Sequence, residues 1–292
     1  MTATVKRELL VRHLEAWAPA ALHRGRRVVY THGFADADGG ESAEAAARVL
    51  VDQTDFVRGR ELSMLLVGEQ VEPVRERVAA VVGDAALVVH AVSGGTDARL
   101  AVALKAGGAH RVPLLGFLDA SASEPPAVPT VAALTAGKPA EVLLVLPPGV
   151  SPAPYREGWP LSTSVELATG EDPGELLVFG TTSGKSLESF KEALWAVDEF
   201  AGVRYRDPGD PDRHLIDISL SPHPGPLRRE LLAHLSRVGS ATVTELRTFA
   251  LTSTIYRAAD VTRVLHTLID SDAVTRQPPA GRLGGDVVIA LG

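Results

Sequence analysis

A short apolar strand that runs into a turn, at residues 28–40, is the part of this sequence best suited to hold a ligand. The segment reads VVYTHGFADADGG, with Gly33 and Phe34 where the strand ends. In a Rossmann-type fold, such a turn holds a nucleotide or S-adenosylmethionine. The loop needs small residues so that backbone N–H groups can approach the ligand, but Asp36 and Asp38 stand there. We therefore expect an enzyme-like scaffold whose cofactor pocket, at Gly33, Phe34 and Asp36, is vestigial.

Two further acidic residues follow strand-like runs. Glu69 ends the run in LSMLLVGEQ, and Asp119 ends the run in LLGFLDAS. In a Rossmann-type sheet, an acid after the second strand accepts the ribose hydroxyls, and ligands bind at the carboxyl edge. We therefore assign Glu69 to the vestigial cofactor pocket and Asp119, which would face a substrate, to a vestigial catalytic role. The alternative is that both carboxylates only cap the next helix.

A third motif, FGTTSGKSLESF, imitates a phosphate-binding loop. A P-loop has four residues between its glycines, whereas Gly180 and Gly184 are separated by three, and Phe179 stands where a glycine is needed. A turn with Ser186 near a helix N-terminus is therefore favoured over nucleotide binding.

Residues 1–150 alternate between helix-like and strand-like segments. The strand-like runs are short and apolar: 26–32, 61–68, 86–92, 112–119 and 140–147. The helix-like stretches are 5–22, 41–57, 71–82, 97–107 and 127–137. Short apolar strands that alternate with helices predict an α/β fold, Rossmann-like, with a mainly parallel sheet covered on both faces.

The next seventy residues are expected to complete that domain, which we predict spans 1–220. A Pro-rich connector at 151–160 is followed by two strands around GEDPG, which predict a hairpin. Residues 186–200 have the apolar spacing of a helix, and 204–214 reads as a charged loop. Trp159 lies in the connector, where it either anchors a protein interface or packs onto its own domain.

Residues 221–292 change in character and predict a second domain. Three helix patterns are followed by a hairpin pattern with PPAGRLGG at its tip, and together they predict a winged helix. Thr242 and Glu245 have the spacing of a capping box for the second helix. Eight arginines against six acids give this segment a charge of about +2. That excess is weak support for DNA binding, and packing or protein contact is the favoured role.

Composition limits the remaining possibilities. The chain has 292 residues, a net charge of −7 and no cysteine, so disulfides and thiolate metal sites are excluded. Its nine histidines show no metal-ligand spacing, and we predict no metal site. Without a signal-like N-terminus or a bilayer-length apolar run, the sequence predicts a cytoplasmic protein with no membrane partner.

The order of these motifs resembles the three-Cys-motif partner proteins (TcmP), a bacterial family with a methyltransferase-like domain. The resemblance covers nearly the full length. The opening helix with Lys6 and Trp17 is similar to the family's start, and VVYTHGFADADGGES is similar to its Y-x-D-G-F-A-G-P-G segment. LLVGEQ, LLGFLDASAS and LLVFGTTSGKSLESFKEALWAVD fall where the family has corresponding blocks. The resemblance implies a class I methyltransferase-like domain and S-adenosylmethionine as the cofactor of a functional pocket.

The departures from the family pattern fall on both halves of the implied active site. Its two loop glycines are Asp36 and Asp38, and its aspartate is His32. After Asp119, the family's proline, aromatic residue and glycine are replaced by Ala-Ser-Ala. The substrate motif thereby loses the ring that would stack on a target amine.

We therefore expect a degenerate methyltransferase-like protein that acts as an accessory or assembly subunit, with little or no S-adenosylmethionine binding. Its partner is expected to be another protein or further copies of itself. One alternative is an active S-adenosylmethionine-dependent methyltransferase acting on nucleic acid or a small amine. Another is a winged-helix DNA-binding regulator, although the mild charge excess predicts weak binding to nucleic acid.

Overall fold

The secondary structure follows from a computed structural model that describes residues 1–54, 59–197, 202–219 and 221–292. The helices are α1 Thr2–Arg24, α2 Glu41–Asp52, α3 Val71–Val82, α4 Thr96–Ala106, α5 Val128–Ala132, α6 Ala153–Arg156, α7 Gly184–Trp195, α8 Gly225–Val238, α9 Val243–Ser253 and α10 Ala258–Asp270. The strands are β1 Arg27–Gly33, β2 Glu61–Gly68, β3 Leu87–Ser93, β4 Leu114–Asp119, β5 Ala140–Leu146, β6 Leu161–Ala168, β7 Glu175–Thr181, β8 Arg204–Arg206, β9 Ser240–Thr242, β10 Val274–Gln277 and β11 Val288–Leu291.

Eight strands form one large sheet in the order β3-β2-β1-β4-β5-β7-β6-β8. The first five strands of that order are parallel, and β7 is antiparallel to both of its neighbours. Every residue of β4 and β5 is buried, as expected for parallel strands that are covered by helices on both faces. The predicted α/β class with a mainly parallel sheet is confirmed.

Helices cover the sheet on both faces and create two apolar cores. One core joins the sheet to α1, α2, α3 and α7, and the other joins it to α4, α5 and α6. The face of α1 that meets the sheet is fully buried at Val5, Leu9, Leu10 and Leu14. This helix therefore has its position and rotation fixed by packing, which matters for the charged residue that it carries at position 6.

The predicted segments agree with these elements except at their ends and in one loop. The predicted hairpin around GEDPG is confirmed as the antiparallel pair β6 and β7. The last residues of the predicted helices 41–57 and 186–200 lie outside the described residues. The prediction of a charged loop over 204–214 was wrong at its start, because β8 pairs with β6 at the sheet edge. Arg206 Nη1 lies 2.6 Å from Glu166 Oε1, and this buried ion pair holds β8 in place.

The C-terminal segment contains the three predicted helices and the predicted hairpin. The small sheet has the order β10-β11-β9, and the third strand, β9, was not predicted. Thr242 and Glu245 form the expected capping box at the start of α9. The winged-helix assignment remains a prediction.

The C-terminal helices also bond directly to the large sheet domain. Trp195 Nε1 donates to the carbonyl of Ile255 at 2.9 Å, and Arg156 Nη2 donates to that of Thr252 at 2.7 Å. The apolar core that contains α7 continues without a break into α8, α9 and α10.

Trp159 packs onto its own domain. Its side chain is 6% exposed, and its indole ring covers Gly180 on β7, where a methyl group would lie 2.5 Å from the ring. Trp17 and Trp195 are buried as well. Trp159 is therefore a core residue. The interpretation that it packs onto its own domain is confirmed, and the interpretation that it anchors a protein interface was wrong.

No helix among the described residues is both long enough and apolar enough to cross a lipid bilayer.

Candidate functional site

The residues predicted to form a site meet at the carboxyl edge of the parallel strands. Gly33 at the end of β1 pairs with Val67 of β2 on one side and Leu118 of β4 on the other. Phe34 and Asp36 continue from β1, and Glu69 and Asp119 follow or end the two neighbouring strands. The sheet order reverses between β1 and β4, and such a reversal opens a ligand crevice in α/β sheets. The sequence therefore placed its candidates at a single edge.

Asp36 bridges the β1 loop to the end of β2. Its Oδ2 accepts the backbone N–H of Gln70 at 2.7 Å, and its Oδ1 occupies the space beside Gly68. A side chain at position 68 would collide with that carboxylate. The glycine at the end of β2 therefore makes room for Asp36 of the same chain.

Asp38 binds the start of α2. Its carboxylate accepts the N–H of Gly40 at 3.1 Å and that of Ser42 at 2.9 Å. Burial would raise the pKa of Asp38, but the hydrogen bonds from Ser42 and Gly40 and the nearby His32 lower it below its ordinary value. Asp38 is thus an ionised carboxylate whose oxygens serve the N-terminal amides of a helix.

Four other amides of the loop also have partners within the protein. The N–H of Phe34 donates to Thr96 Oγ1 at 2.8 Å, and the N–H of Ala35 donates to the carbonyl of Val67 at 3.0 Å. The N–H groups of Ala37 and Gly39 donate to carbonyls inside the loop. Many of the backbone donors that could cradle a ligand are therefore bonded to acceptors of the protein itself.

Gly33 and Glu69 differ in their surroundings. A methyl group on Gly33 would lie 2.5 Å from the Leu118 side chain and 2.8 Å from that of Thr96, so packing alone accounts for the glycine. Glu69 is exposed, and in the described parts of the chain its side chain has no hydrogen-bond partner. The alternative role of Glu69 as a helix cap is not realised, because α3 has no side-chain cap.

Asp119 does not face an open site. Its Oδ2 lies 2.9 Å from Lys6 Nζ, and the same ammonium lies 3.0 Å from Glu175 Oε2 and donates to Ser121 Oγ at 2.8 Å. Burial alone would lower the pKa of Lys6, but Asp119 and Glu175 together raise it above its ordinary value. A cation from α1 is therefore paired with Asp119 inside the fold.

His32 fills the interior behind this cluster. Its Nδ1 lies 2.8 Å from the Tyr30 hydroxyl, and its ring meets Phe117 edge-on with centroids 4.9 Å apart. Burial lowers the pKa of His32 to about 4, although Asp38 and Asp119 act in the opposite direction. His32 is therefore a neutral ring at physiological pH and a packing residue of the β1–β4 interface.

Lys6 and Glu175 are the two site residues that sequence reasoning missed in this role. The available signal was a lysine among Val5, Leu9 and Leu10 on the apolar face of α1. A charge in that position needs a buried partner. The identity of the partners depends on β7 lying beside β5, which the spacing of residues does not reveal.

The P-loop imitation is a helix cap. Ser183 Oγ accepts the N–H of Ser186 at 3.3 Å, and Ser186 Oγ donates to Glu141 Oε1 at 2.5 Å. Glu141 Oε2 in turn lies 2.9 Å from His13 Nε2 on α1. The motif is therefore a turn with Ser186 near the N-terminus of α7, as the favoured interpretation expected, and it also joins α7 to β5 and α1.

One group of possible metal ligands occurs among the described residues, in the turn after β8. Asp210, Asp212 and His214 have ligand atoms within 4.8 Å of one another. Asp210 is already used by the turn, since it accepts the N–H groups of Asp212 and His214 at 3.1 and 2.9 Å. These hydrogen bonds of the turn account for the closeness of the three side chains.

Comparison with known proteins adds no family assignment: no protein-family model matches the chain, and no curated protein matches it either. The resemblance to the three-Cys-motif partner proteins stays a prediction.

We expect Lys6→Met to destabilise the fold by about 3–5 kcal/mol, because it leaves two carboxylates facing each other without their cation. The free energy of unfolding is measured by urea titration at pH 7. Arg12→Met is the control, since Arg12 pairs with Glu8 on the exposed side of the same helix and is expected to cost less than about 1 kcal/mol. Equal losses of unfolding free energy in the two variants would show that the buried ion pairs of Lys6 do not stabilise the fold.

His32 is expected to make the fold sensitive to mild acid. Because folding lowers its pKa to about 4, its contribution to stability is complete above pH 6.5 and is lost as the pH falls from 6.5 towards 4. Over that window wild type should lose about 3 kcal/mol more than His32→Gln. Unfolding free energies at half-unit pH steps measure the difference, with the exposed His90→Gln as control. A His32 ring that titrates near pH 6.5 by NMR would contradict the assignment.

Proposed function

We propose that this chain is a methyltransferase-like protein without catalysis, related to the three-Cys-motif partner proteins, that acts as an accessory or assembly subunit. The observation that carries the proposal is the loop after β1, where Asp38 and Thr96 accept amides of the loop and of the start of α2, and Asp36 accepts the N–H of Gln70 after β2. A working loop would keep such amides for the cofactor. The two carboxylates would also repel the carboxylate end of S-adenosylmethionine.

The strand order supports a Rossmann-like, class I methyltransferase-like scaffold. The segment β3-β2-β1-β4-β5 has the parallel order of a dinucleotide-binding sheet, with its reversal between β1 and β4. The predicted pocket residues lie at the carboxyl edge of that reversal. The scaffold is therefore compatible with an ancestral cofactor site, and the substitutions fall inside that site.

The substrate side supports the same conclusion. Asp119 is the residue that would face a substrate, and Lys6 holds it in a buried cluster. The segment that carries Lys6 cannot leave without exposing Val5, Leu9 and Leu10. Each fully buried aliphatic side chain contributes about 1.5–3 kcal/mol. The cluster is thus a permanent part of the fold, which disfavours the alternative of an active methyltransferase.

For the C-terminal segment we propose a winged helix that packs against protein. Its three helices and small sheet supply the parts of that fold. If the winged helix bound DNA, α10 would be the helix that enters the major groove. Arg257 at the start of α10 is buried, however; its Nε lies 2.9 Å from Asp260 Oδ2, and it also pairs with Glu192. Arg263 remains exposed on α10. This arrangement disfavours a winged-helix DNA-binding regulator.

We expect the wild-type chain to bind S-adenosylmethionine with a Kd weaker than about 10 µM, which corresponds to roughly −7 kcal/mol. Isothermal titration calorimetry with the full chain tests this. Asp36→Gly removes the carboxylate beside Gly68 and should strengthen binding, whereas the exposed Asp84→Gly is a matched control that should not. Wild-type binding at or below about 10 µM would overturn the proposal.

An accessory or assembly role also requires association. We expect light scattering across a wide concentration range to show an oligomer, or a partner to be recovered from the native host. A strict monomer for which the host yields no partner would remove the support for this role.

A further inference from the structure

The amino edge of the parallel strands, opposite the candidate site, has a strongly basic stretch at β1, β4, β5 and β7. Four chain segments form this stretch: 23–27 before β1, 105–113 before β4, 136–139 before β5 and 182–186 after β7. The segments that lead into β2, β3 and β6 flank it and carry Glu61, Asp84 and Glu157. Together the four basic segments hold seven lysines and arginines, two histidines and no aspartate or glutamate. Because the whole chain has a net charge of −7, the remaining residues have a net charge of −14. We call these four segments the basic edge.

Direct contacts join three of the four segments into one surface. Gly25 abuts Pro113, where a methyl group would lie 2.8 Å from its ring. The N–H of Arg111 donates to the carbonyl of Ala136 at 2.8 Å, and the N–H of Lys138 donates to that of Val112 at 2.7 Å. These contacts align the 23–27, 105–113 and 136–139 segments side by side.

The fourth segment is joined through a cavity of about 200 Å³ between α1 and α7. Arg24, Pro139 and Lys185 all line it, so the cationic end of α1 and the start of α7 meet at this point. The basic edge therefore runs without interruption from β1 across β4 and β5 to α7. With neighbouring strands about 4.8 Å apart, this is a row of roughly 15–20 Å.

The cations of the basic edge are largely unused by the fold. Arg27 pairs with Glu61 at 2.8 Å, and among the described residues the other six have no ion-pair partner. All six are exposed. The helix dipole accounts for Arg24 and Lys105, which lie in the last turns of α1 and α4. It does not account for Arg26, Arg111 and Lys138, which lie outside helices.

The distribution of lysine supports the same point. The chain has five lysines, of which Lys6 and Lys191 are buried. The three exposed lysines, Lys105, Lys138 and Lys185, all lie on the basic edge. A concentrated cationic surface on an otherwise acidic protein makes close approach of a polyanion favourable in one orientation only.

We propose that the basic edge binds the phosphate backbone of a duplex nucleic acid without reading its sequence. Arginine and lysine are the side chains that neutralise phosphates, and a row of them matches a regularly charged polymer. The four segments contain no phenylalanine, tyrosine or tryptophan on which unpaired bases would stack, and none of their large apolar side chains is exposed for insertion into a membrane. These features favour a duplex over a single strand or a lipid surface.

The test measures binding of the full-length chain to fluorescently labelled duplexes of about 20 base pairs, one of DNA and one of RNA, by anisotropy. The salt concentration is varied from about 50 to 200 mM, because release of counterions makes the slope of log K against log salt report the number of phosphates contacted. Wild type should show a steep slope, equivalent to about four phosphates or more. The two duplexes distinguish the source of the phosphate backbone.

The triple variant Arg26→Gln, Arg111→Gln and Lys138→Gln should weaken binding at least tenfold and reduce the slope by about 2.7, the value for three phosphates. The matched control, Arg48→Gln with Arg75→Gln and Arg99→Gln, removes the same charge from exposed positions on α2, α3 and α4. It should change the affinity less than twofold. Circular dichroism and thermal unfolding verify that both variants keep the wild-type fold.

Several results would overturn the proposal. One is wild-type binding that is absent at about 10 µM protein in low salt, or that does not depend on salt. Another is equal weakening in the two triple variants, which would indicate diffuse attraction. A third is binding that survives the basic-edge substitutions, or that is stronger to vesicles containing phosphatidylserine than to either duplex.

Discussion

The ammonium of Lys6 is the charge on which the carboxyl edge of the sheet depends. It lies between Asp119 of β4 and Glu175 of β7, two carboxylates that would otherwise face each other across a buried space. Two like charges there would force one of them to take up a proton or the strands to separate. The helix that supplies Lys6 is held by fully buried aliphatic residues on the same face. The packing that fixes α1 on the sheet therefore also places the cation that neutralises Asp119 and Glu175.

The loop after β1 tolerates its aspartates because they bond to backbone amides. In an α/β sheet, the amides after the first strand need acceptors, and a bound cofactor can supply them. Here Asp38 accepts from Gly40 and Ser42, and Asp36 accepts from Gln70 after the second strand. Much of the loop is thereby bonded without a ligand. Substitutions that look like losses in the sequence form hydrogen bonds within the fold, and these bonds are the physical basis of the proposed loss of catalysis.

The sequence predicted the elements well because their signals are local. Apolar runs of six to eight residues marked the strands, and the spacing of Thr242 and Glu245 marked the start of α9. The sequence also placed Gly33, Asp36, Glu69 and Asp119 at one edge, since the carboxyl ends of parallel strands coincide. It could not pair Lys6 with Asp119 and Glu175, which are more than a hundred residues away. The sequence also predicted a loop at Arg204–Arg206. That segment is a strand, because Arg206 pairs with the distant, buried Glu166 of β6, and local spacing does not reveal this partner.

The distribution of charge over the surface does not follow from the composition of the chain. A net charge of −7 over the whole chain gives no indication of a cationic surface, and the mild excess in residues 221–292 drew attention to the C-terminal helices. The fold instead gathers positive residues from four distant segments onto the amino edge of the sheet, while Arg257 of the C-terminal segment is used internally. A charged surface is formed by residues that are neighbours in space. The Debye length in 0.1 M salt is about 10 Å, so only charges that lie close together act together on a ligand. The net charge of the chain therefore cannot reveal such a surface, whereas the order and register of the strands can. The two edges of this sheet differ accordingly: the charges of the carboxyl edge are paired with one another, and those of the basic edge are exposed.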